Sequence, residues 1–475
     1  MPASASVPTE SSATASLNQR PSYWILSPAA DMTLIIGSPV IILLGFLTAK
    51  QVWSAAMIAS FIMVWQVGHH LPGMMRAYGD PALFRRFRIR FLVAPILLML
   101  TCAFAFLNQL DASIISIAMI WGWWHYLMQA YGFVRIYDSK VRCFSPVTRW
   151  LDWGMCLIWF AAAIILNDNT LYNFVNHFYT AGLPVPATET FNSLRSITWA
   201  LLASITAAFL LNLVISYVRG SRPSPVKVAL MIATFGSFWY STATITNIVV
   251  AYAFFELFHD VQYLTIVWAF NRNRVKKDST LKGFTKFVFQ PRVIFVLLYV
   301  GLIAAYGSLK VGAQYVTQIQ WHSLLMAFFL TSTLLHYYFD GFIWKLRESD
   351  TQTSLDIAAN DSARTRWTLP KGLRHGLLWS LFVIPFCTLI VLQAIDRTEQ
   401  KGDIVQDTQR RLPYLQRLAE GIPSSILARF NHGLALEALG NPEAAIKEYQ
   451  AALDISADYE PAKKRLEQLQ LFGSK

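Results

Sequence analysis

Long apolar stretches recur along almost the whole chain, and they constrain its fold more than any motif does. A membrane-crossing helix needs about 20 mostly apolar residues. Eleven such stretches can be laid on the sequence, near 31–49, 51–70, 91–109, 112–134, 150–167, 197–218, 226–246, 247–270, 293–310, 320–344 and 374–394. Backbone in lipid has to satisfy its own hydrogen bonds, so segments of this kind are helices. The expected fold is all-α: a polytopic membrane helix bundle of about 11 spans with a small helical C-terminal domain. The regions are then a disordered cytoplasmic tail at 1–30, the transmembrane bundle at 31–395 and an extracytoplasmic helical domain at 396–475. Residues 1–22 lack the positive-then-apolar order of a signal peptide.

The basic residues give the stretches a direction. One set of alternate loops holds Arg76, Arg85, Arg86, Arg88 and Arg90, then Arg135, Lys140, Arg142 and Arg149, then Arg219, Arg222 and Lys227. The same set continues with Arg272 to Arg292 and with Lys345 to Arg374, whereas the opposite loops hold only Lys50, Arg195 and Lys310. Positive charge gathers on the cytoplasmic side, which places the N-terminus inside and the C-terminus outside, as in a multi-pass protein of a bacterial inner membrane. Composition agrees: 55% of residues are hydrophobic and 14% charged, against about 25% charged in an average soluble domain. The net charge of +12 belongs to loops facing anionic lipid. With no zinc-knuckle spacing and no basic–aromatic module, nucleic acid is excluded as a partner. Cys102, Cys143, Cys156 and Cys387 show no CxxC spacing, and no disulfide framework is expected.

Histidines break the apolar runs at one level. His69 and His70 close the second stretch, His125 lies in the fourth, His259 in the eighth, and His336 closes the tenth. At 1.5 Å per residue all five lie roughly 10–18 Å from the nearest basic loop residue, in the cytoplasmic half of the bilayer. Glu256 and Asp340 share that depth. Ionisable residues inside a membrane are costly and usually functional, and imidazoles that share a bundle interior are common metal ligands. His69, His70, His125, Glu256, His259, His336 and Asp340 are therefore the candidate metal ligands. Asp260, Gln129, Gln262 and Tyr337 are candidates for the shell that orients them. His336 and Asp340, four residues apart, share one helix face. His177 and His322 fall on the opposite side of the membrane and His375 at the inner start of the last stretch, so these three are set apart. Imidazole and carboxylate without thiolate suit iron or zinc. The donors outnumber what one tetrahedral zinc takes, which favours a di-iron centre, with zinc or haem as alternatives.

In layout the chain resembles the histidine-rich membrane-bound di-iron oxygenases and desaturases, although their HxxxH and HxxHH boxes are absent. The resemblance implies O₂-dependent hydroxylation, desaturation or cleavage of a membrane lipid or isoprenoid. No flavin or nicotinamide fingerprint is present, so an electron-donor protein is implied as well. Phe255-x-x-x-His259 and His336-x-x-x-Asp340 resemble two of the three boxes of the CAAX-type membrane proteases, which would make the chain a zinc intramembrane hydrolase; the Glu-Glu-x-x-x-Arg box is missing. A bis-histidine haem electron carrier would leave the carboxylates unused. A membrane glycosyltransferase is similar in span number and external repeat but needs acidic residues in a first outer loop, which here reads "AKQ". A transporter stays open too, without a half-chain repeat to support it. The segment "NHGLALEALGNPEAAIKEYQAALDISADYEPAKKRLEQL" resembles a tetratricopeptide repeat, with Gly433, Ala445, Tyr449 and Ala452 at its small, small, aromatic and small positions. His432 and Arg429 depart from that pattern. The resemblance implies a protein partner, or docking on the bundle, because one repeat cannot bury its own face.

Overall fold

The computed structural model describes residues 23–245, 248–277, 283–346, 348–357, 370–399 and 404–473. Among these the chain is helical and forms no strand. The principal helices are α1 (Ser38–Val52), α2 (Ala55–Gly68), α3 (His70–Gly79), α4 (Pro81–Leu107), α5 (Asp111–Lys140) and α6 (Pro146–Ile165). They continue with α7 (Asp168–Thr180), α8 (Thr188–Val218), α9 (Pro225–Thr244), α10 (Ile248–Lys277), α11 (Val293–Ala313), α12 (Ile319–Ile343) and α13 (Lys371–Glu399). The C-terminal part holds α14 (Ile404–Gly421), α15 (Ile426–Ala438), α16 (Pro442–Ile455) and α17 (Glu460–Gly473).

The starts of several helices follow from local sequence. Asp80 accepts the Ala82 and Leu83 N–H groups at 3.0 and 3.1 Å, and Pro81 fills the first helical position of α4. Ser145 and Pro146 do the same for α6. Among the described residues, five helices are long and apolar enough to cross a membrane: α4, α6, α8, α11 and residues Gly372–Arg397 of α13. The pair Pro28–Ile36 and Ser38–Ala49, bent by 56°, is a sixth if taken as one span. The other expected spans are helices of different character. α2 has 14 residues, about 21 Å at 1.5 Å each, short of a hydrocarbon core of about 30 Å. α5, α10 and α12 are long, but they bury His125, Glu256, His259, Asp260 and His336, which lowers their apolarity. The stretch at 226–270 divides into α9 and α10, as expected.

Two boundaries differ from expectation. Residues 1–22 of the expected tail lie outside the described residues, but 23–30 belong to the bundle. Ile25 is buried, and its N–H reaches Asp31 Oδ2 at 2.7 Å; Tyr137 of α5 donates to the same oxygen at 2.9 Å. Asp31 thus ties the entry segment to α5, a contact that composition does not foretell. The segment after the fifth apolar stretch, read as loop, contains the amphipathic helix α7.

α7 carries the C-terminal part. Leu171, Tyr172 and Phe191 form one buried cluster with Tyr414, Leu418 and Ile422. Around it, Asp168 takes Arg195 Nη2 at 2.6 Å and the Ser424 N–H at 3.2 Å, and Tyr414 donates to Asn176 at 2.5 Å. Within the C-terminal part α15 and α16 pack closely at Gly433, where a Cβ would stand 2.7 Å from the Tyr449 ring. Ala445, Tyr449 and Ala452 are fully buried. His432 and Arg429 both face Glu448, at 3.3 and 3.2 Å.

Candidate metal centre

Four helices and one junction bring the five histidines together. α2 ends at Gly68, His69 is the junction, and His70 opens α3. His125 comes from α5, His259 from α10 and His336 from α12. All five are buried. The position of His69 depends on close approach of α2 to α11. A Cβ on Gly68 would meet the Ile303 carbonyl oxygen at 2.6 Å, and one on Gly307 would meet that of Val64 at 1.7 Å. Only glycine lets the two backbones touch there.

His69 Nε2 faces His336 Nε2 at 3.2 Å. Two nitrogens held ~2.0–2.1 Å from one tetrahedral ion stand roughly 3.3–3.4 Å apart, so the spacing is that of two ligands on one metal. Ligand atoms of His69, His259 and His336 lie within 4.8 Å of one another, and so do those of His125, His336 and Asp340. His125 Nε2, His259 Nε2 and His336 Nδ1 are buried with no hydrogen-bond partner. More than 90% of buried polar groups in proteins are paired. Each of the two groups thus contains unpaired ring nitrogens, which fit donors that face a metal.

Two carboxylates support the rings. Asp260 Oδ1 stands 2.8 Å from His69 Nδ1, the arrangement by which a carboxylate turns the other nitrogen of a ligand toward its ion. Asp340 Oδ1 accepts the Tyr263 hydroxyl at 3.1 Å and the Trp344 indole N–H at 3.0 Å. Its Oδ2 lies 3.8 Å from His336 Nδ1, too far for a hydrogen bond. Gly73 leaves space over this corner, since a Cβ there would come to 3.0 Å from the Tyr263 oxygen and 3.5 Å from Asp340 Oδ1.

Two expected ligands, Glu256 and His70, lie outside the groups, and one expected orienting residue, Gln262, turns elsewhere. Glu256 is in neither group; its Oε2 accepts Gln66 Nε2 at 2.6 Å, and Gln66 in turn accepts Lys310 Nζ at 3.2 Å. Three residues before His259, it sits about 4.5 Å further along α10, level with Gln66 rather than with the rings. His70 also stands outside the groups, its Nδ1 3.1 Å from Ser332 Oγ and its ring stacked on His336 at 5.0 Å. Gln262 donates to the Ile35 carbonyl at 2.6 Å and anchors the entry segment instead of a histidine. Gln129 reaches the His259 backbone carbonyl at 3.1 Å and so positions α10. Tyr337 lies 4.8 Å from the His125 ring, with Gly122 making room for its hydroxyl. His375 is apart from the centre, bonded to Trp379 at 3.2 Å.

Sequence reasoning missed the supports Ser332 and Trp344 and the Lys310–Gln66–Glu256 file. An amide and an amine at matching depth on two apolar helices were the available signal. The fold and site together define an all-helical protein with membrane-length apolar helices and a buried histidine–carboxylate centre. A scan of protein-family models, a search of curated proteins and a search of solved structures each return no match for the chain.

Proposed function

We propose that the chain is a membrane-embedded, metal-dependent oxidoreductase with iron at the histidine centre and a lipid or isoprenoid as substrate. The observation that carries this reading is the pair of buried ligand groups, His69 with His259 and His336, and His125 with His336 and Asp340, each with its ligand atoms within 4.8 Å of one another. Imidazole and carboxylate donors without a thiolate suit iron. Iron bound there would supply O₂ activation. Asp260 holds the His69 ring, and the Tyr263 and Trp344 donors hold Asp340 in one orientation. The aromatic rings packed on the histidines are those of Tyr126, Tyr263 and Tyr337, at 4.6 Å from His259, 5.0 Å from His336 and 4.8 Å from His125. An apolar substrate reaches such a site laterally through the bilayer, and electrons come from a separate donor protein.

The reading takes with it eleven crossings, an inner N-terminus and an outer C-terminal domain of tetratricopeptide-like form. Reporters fused within residues 350–365 and at the C-terminus should then report opposite sides. For the activity, the test is metal analysis of the detergent-purified protein, with mass spectrometry of lipids from cells making wild type or His336→Ala. Bound iron, and an oxygen gained or a hydrogen pair lost only with wild type, is the expected result. Zinc in place of iron would move the reading to a hydrolase, a Soret band would move it to a haem carrier, and a metal-free protein would end it.

A further inference from the structure

The two ligand groups share one residue, His336. We propose, resting on the metal-centre reading above, that the centre holds two ions and that His336 joins them through its two ring nitrogens. Nε2 faces one side of the ring, where His69 Nε2 stands 3.2 Å away and the unpaired His259 Nε2 completes the group. Nδ1 faces the other side, unpaired, with Asp340 Oδ2 at 3.8 Å and His125 completing that group. The two nitrogens of one imidazole diverge, so they cannot serve one ion but can serve two.

The surroundings of each nitrogen suit this assignment. Asp340 has its Oδ1 taken by Tyr263 and Trp344 and its Oδ2 turned to His336, a carboxylate with one oxygen held and one left for a ligand role. Asp260 occupies His69 Nδ1, so His69 contributes Nε2 and belongs to the first ion alone. Neither ring nitrogen of His336 has a carbonyl or hydroxyl acceptor that would keep a proton on it. A neutral imidazole carries one N–H proton; a ring between two cations releases it to solvent as the ions bind, and the two positive charges stabilise the resulting imidazolate. His70, stacked on His336 at 5.0 Å and tied to Ser332, holds the ring in place and is a positioning residue.

Each ion then has three protein ligands, the number that leaves a position open for reaction. Removing a one-sided ligand weakens one ion. Removing His336 leaves two protein ligands on each and weakens both.

The test uses the purified full-length protein, stripped with a chelator and reloaded with Co(II) alone, with bound cobalt counted and magnetic coupling read by EPR. Wild type should bind two equivalents that are coupled. His259→Ala and His125→Ala should each bind one, uncoupled, and His336→Ala should bind almost none. One equivalent in wild type would overturn the two-ion inference and leave a mononuclear centre standing. Two equivalents retained in His336→Ala would overturn the joining role. No cobalt in wild type would overturn the metal reading with it. The two one-sided variants decide the question even if His336→Ala does not fold.

Discussion

The bundle buries two polar clusters, and they are built on opposite terms. At the loop ends of α5, α6 and α9, Lys227 Nζ reaches Asp138 Oδ2 at 2.7 Å and the two oxygens of Asp152 at 2.8 and 3.0 Å. Arg135 Nη1 bridges the same carboxylates at 2.9 and 2.8 Å, and the Ser224 N–H caps Asp138 at 3.0 Å. Two cations meet two anions, and no atom of these four side chains is left buried without a partner. The histidine centre is as deeply buried and, even with His69 Nδ1 set against Asp260 at 2.8 Å, leaves His125 Nε2, His259 Nε2 and His336 Nδ1 unpaired. A closed cluster stabilises the fold and has nothing left to bind with. An open one costs stability until something fills it. Burial of polar groups is therefore common to the two clusters; what separates them is the set of unpaired ring nitrogens in one of them.

The sharpest way to break this comparison is to damage each cluster and read the other property. Lys227→Met leaves two buried carboxylates with one cation and should cost about 3–5 kcal/mol. The lowered unfolding midpoint should come with unchanged metal content per folded protein. Loss of metal instead would mean that the two clusters are coupled. Next, Gly307→Leu forces a side chain against the Val64 carbonyl, where even a Cβ would be at 1.7 Å. It should cost roughly 1–3 kcal/mol and also lower metal content, because α2 carries His69. Gly45→Leu, with nothing within 4 Å of its Cβ position, is the control and should change neither.

Asp260→Asn should weaken metal binding about 10–100-fold with the fold kept, as measured by chelator competition. The smallest effect concerns the C-terminal part. Burial alone would raise the Glu448 carboxyl, but its hydrogen bond and charge contact with His432, and then the Arg429 charge, hold it below its ordinary value of 4.5. A carboxyl lowered in the folded state stabilises above its unfolded value, and that share is lost as pH falls through the folded one. Unfolding of α14–α17, followed by cleavage with an acid-active protease such as pepsin, should therefore ease slightly below pH 4.5. Glu448→Gln should remove that dependence.

Depth along an apolar helix was legible in the sequence, because rise per residue is fixed. Counting from the basic loops put His125, His259 and His336 in one layer, and the structure brings their rings within 4.6–5.1 Å of one another in the pairs His125–His336 and His125–His259. Rotation about the helix axis and the partners across it were not legible. Glu256 and His259 share a helix and a spacing that suggests one site, but the choice between Gln66 and the rings is made by α2, which the spacing does not see. Asp138, Asp152 and Lys227 lie 14 to 89 residues apart in pairs, and only tertiary packing makes them one cluster. The entry segment at Asp31 was lost for the same reason. Residues 23–30 read YWILSPAA, an apolar run too short to count as a span, while the order of the entry segment comes from Tyr137 and Gln262 on two distant helices.

The docking of the C-terminal part on α7 sets an order of events during synthesis. Asp168 and the Ser424 N–H that it holds are separated by 256 residues. At about 5–20 residues per second, the ribosome needs roughly 10–50 s to make the second half of this interface after the first. Throughout that time Leu171, Tyr172 and Phe191 lack the cover that Tyr414, Leu418 and Ile422 give them in the finished chain. The surface is hidden only once α14 and α15 arrive, so a truncated product keeps an apolar patch that a finished one lacks. That difference is what a quality-control protease or chaperone would be able to read.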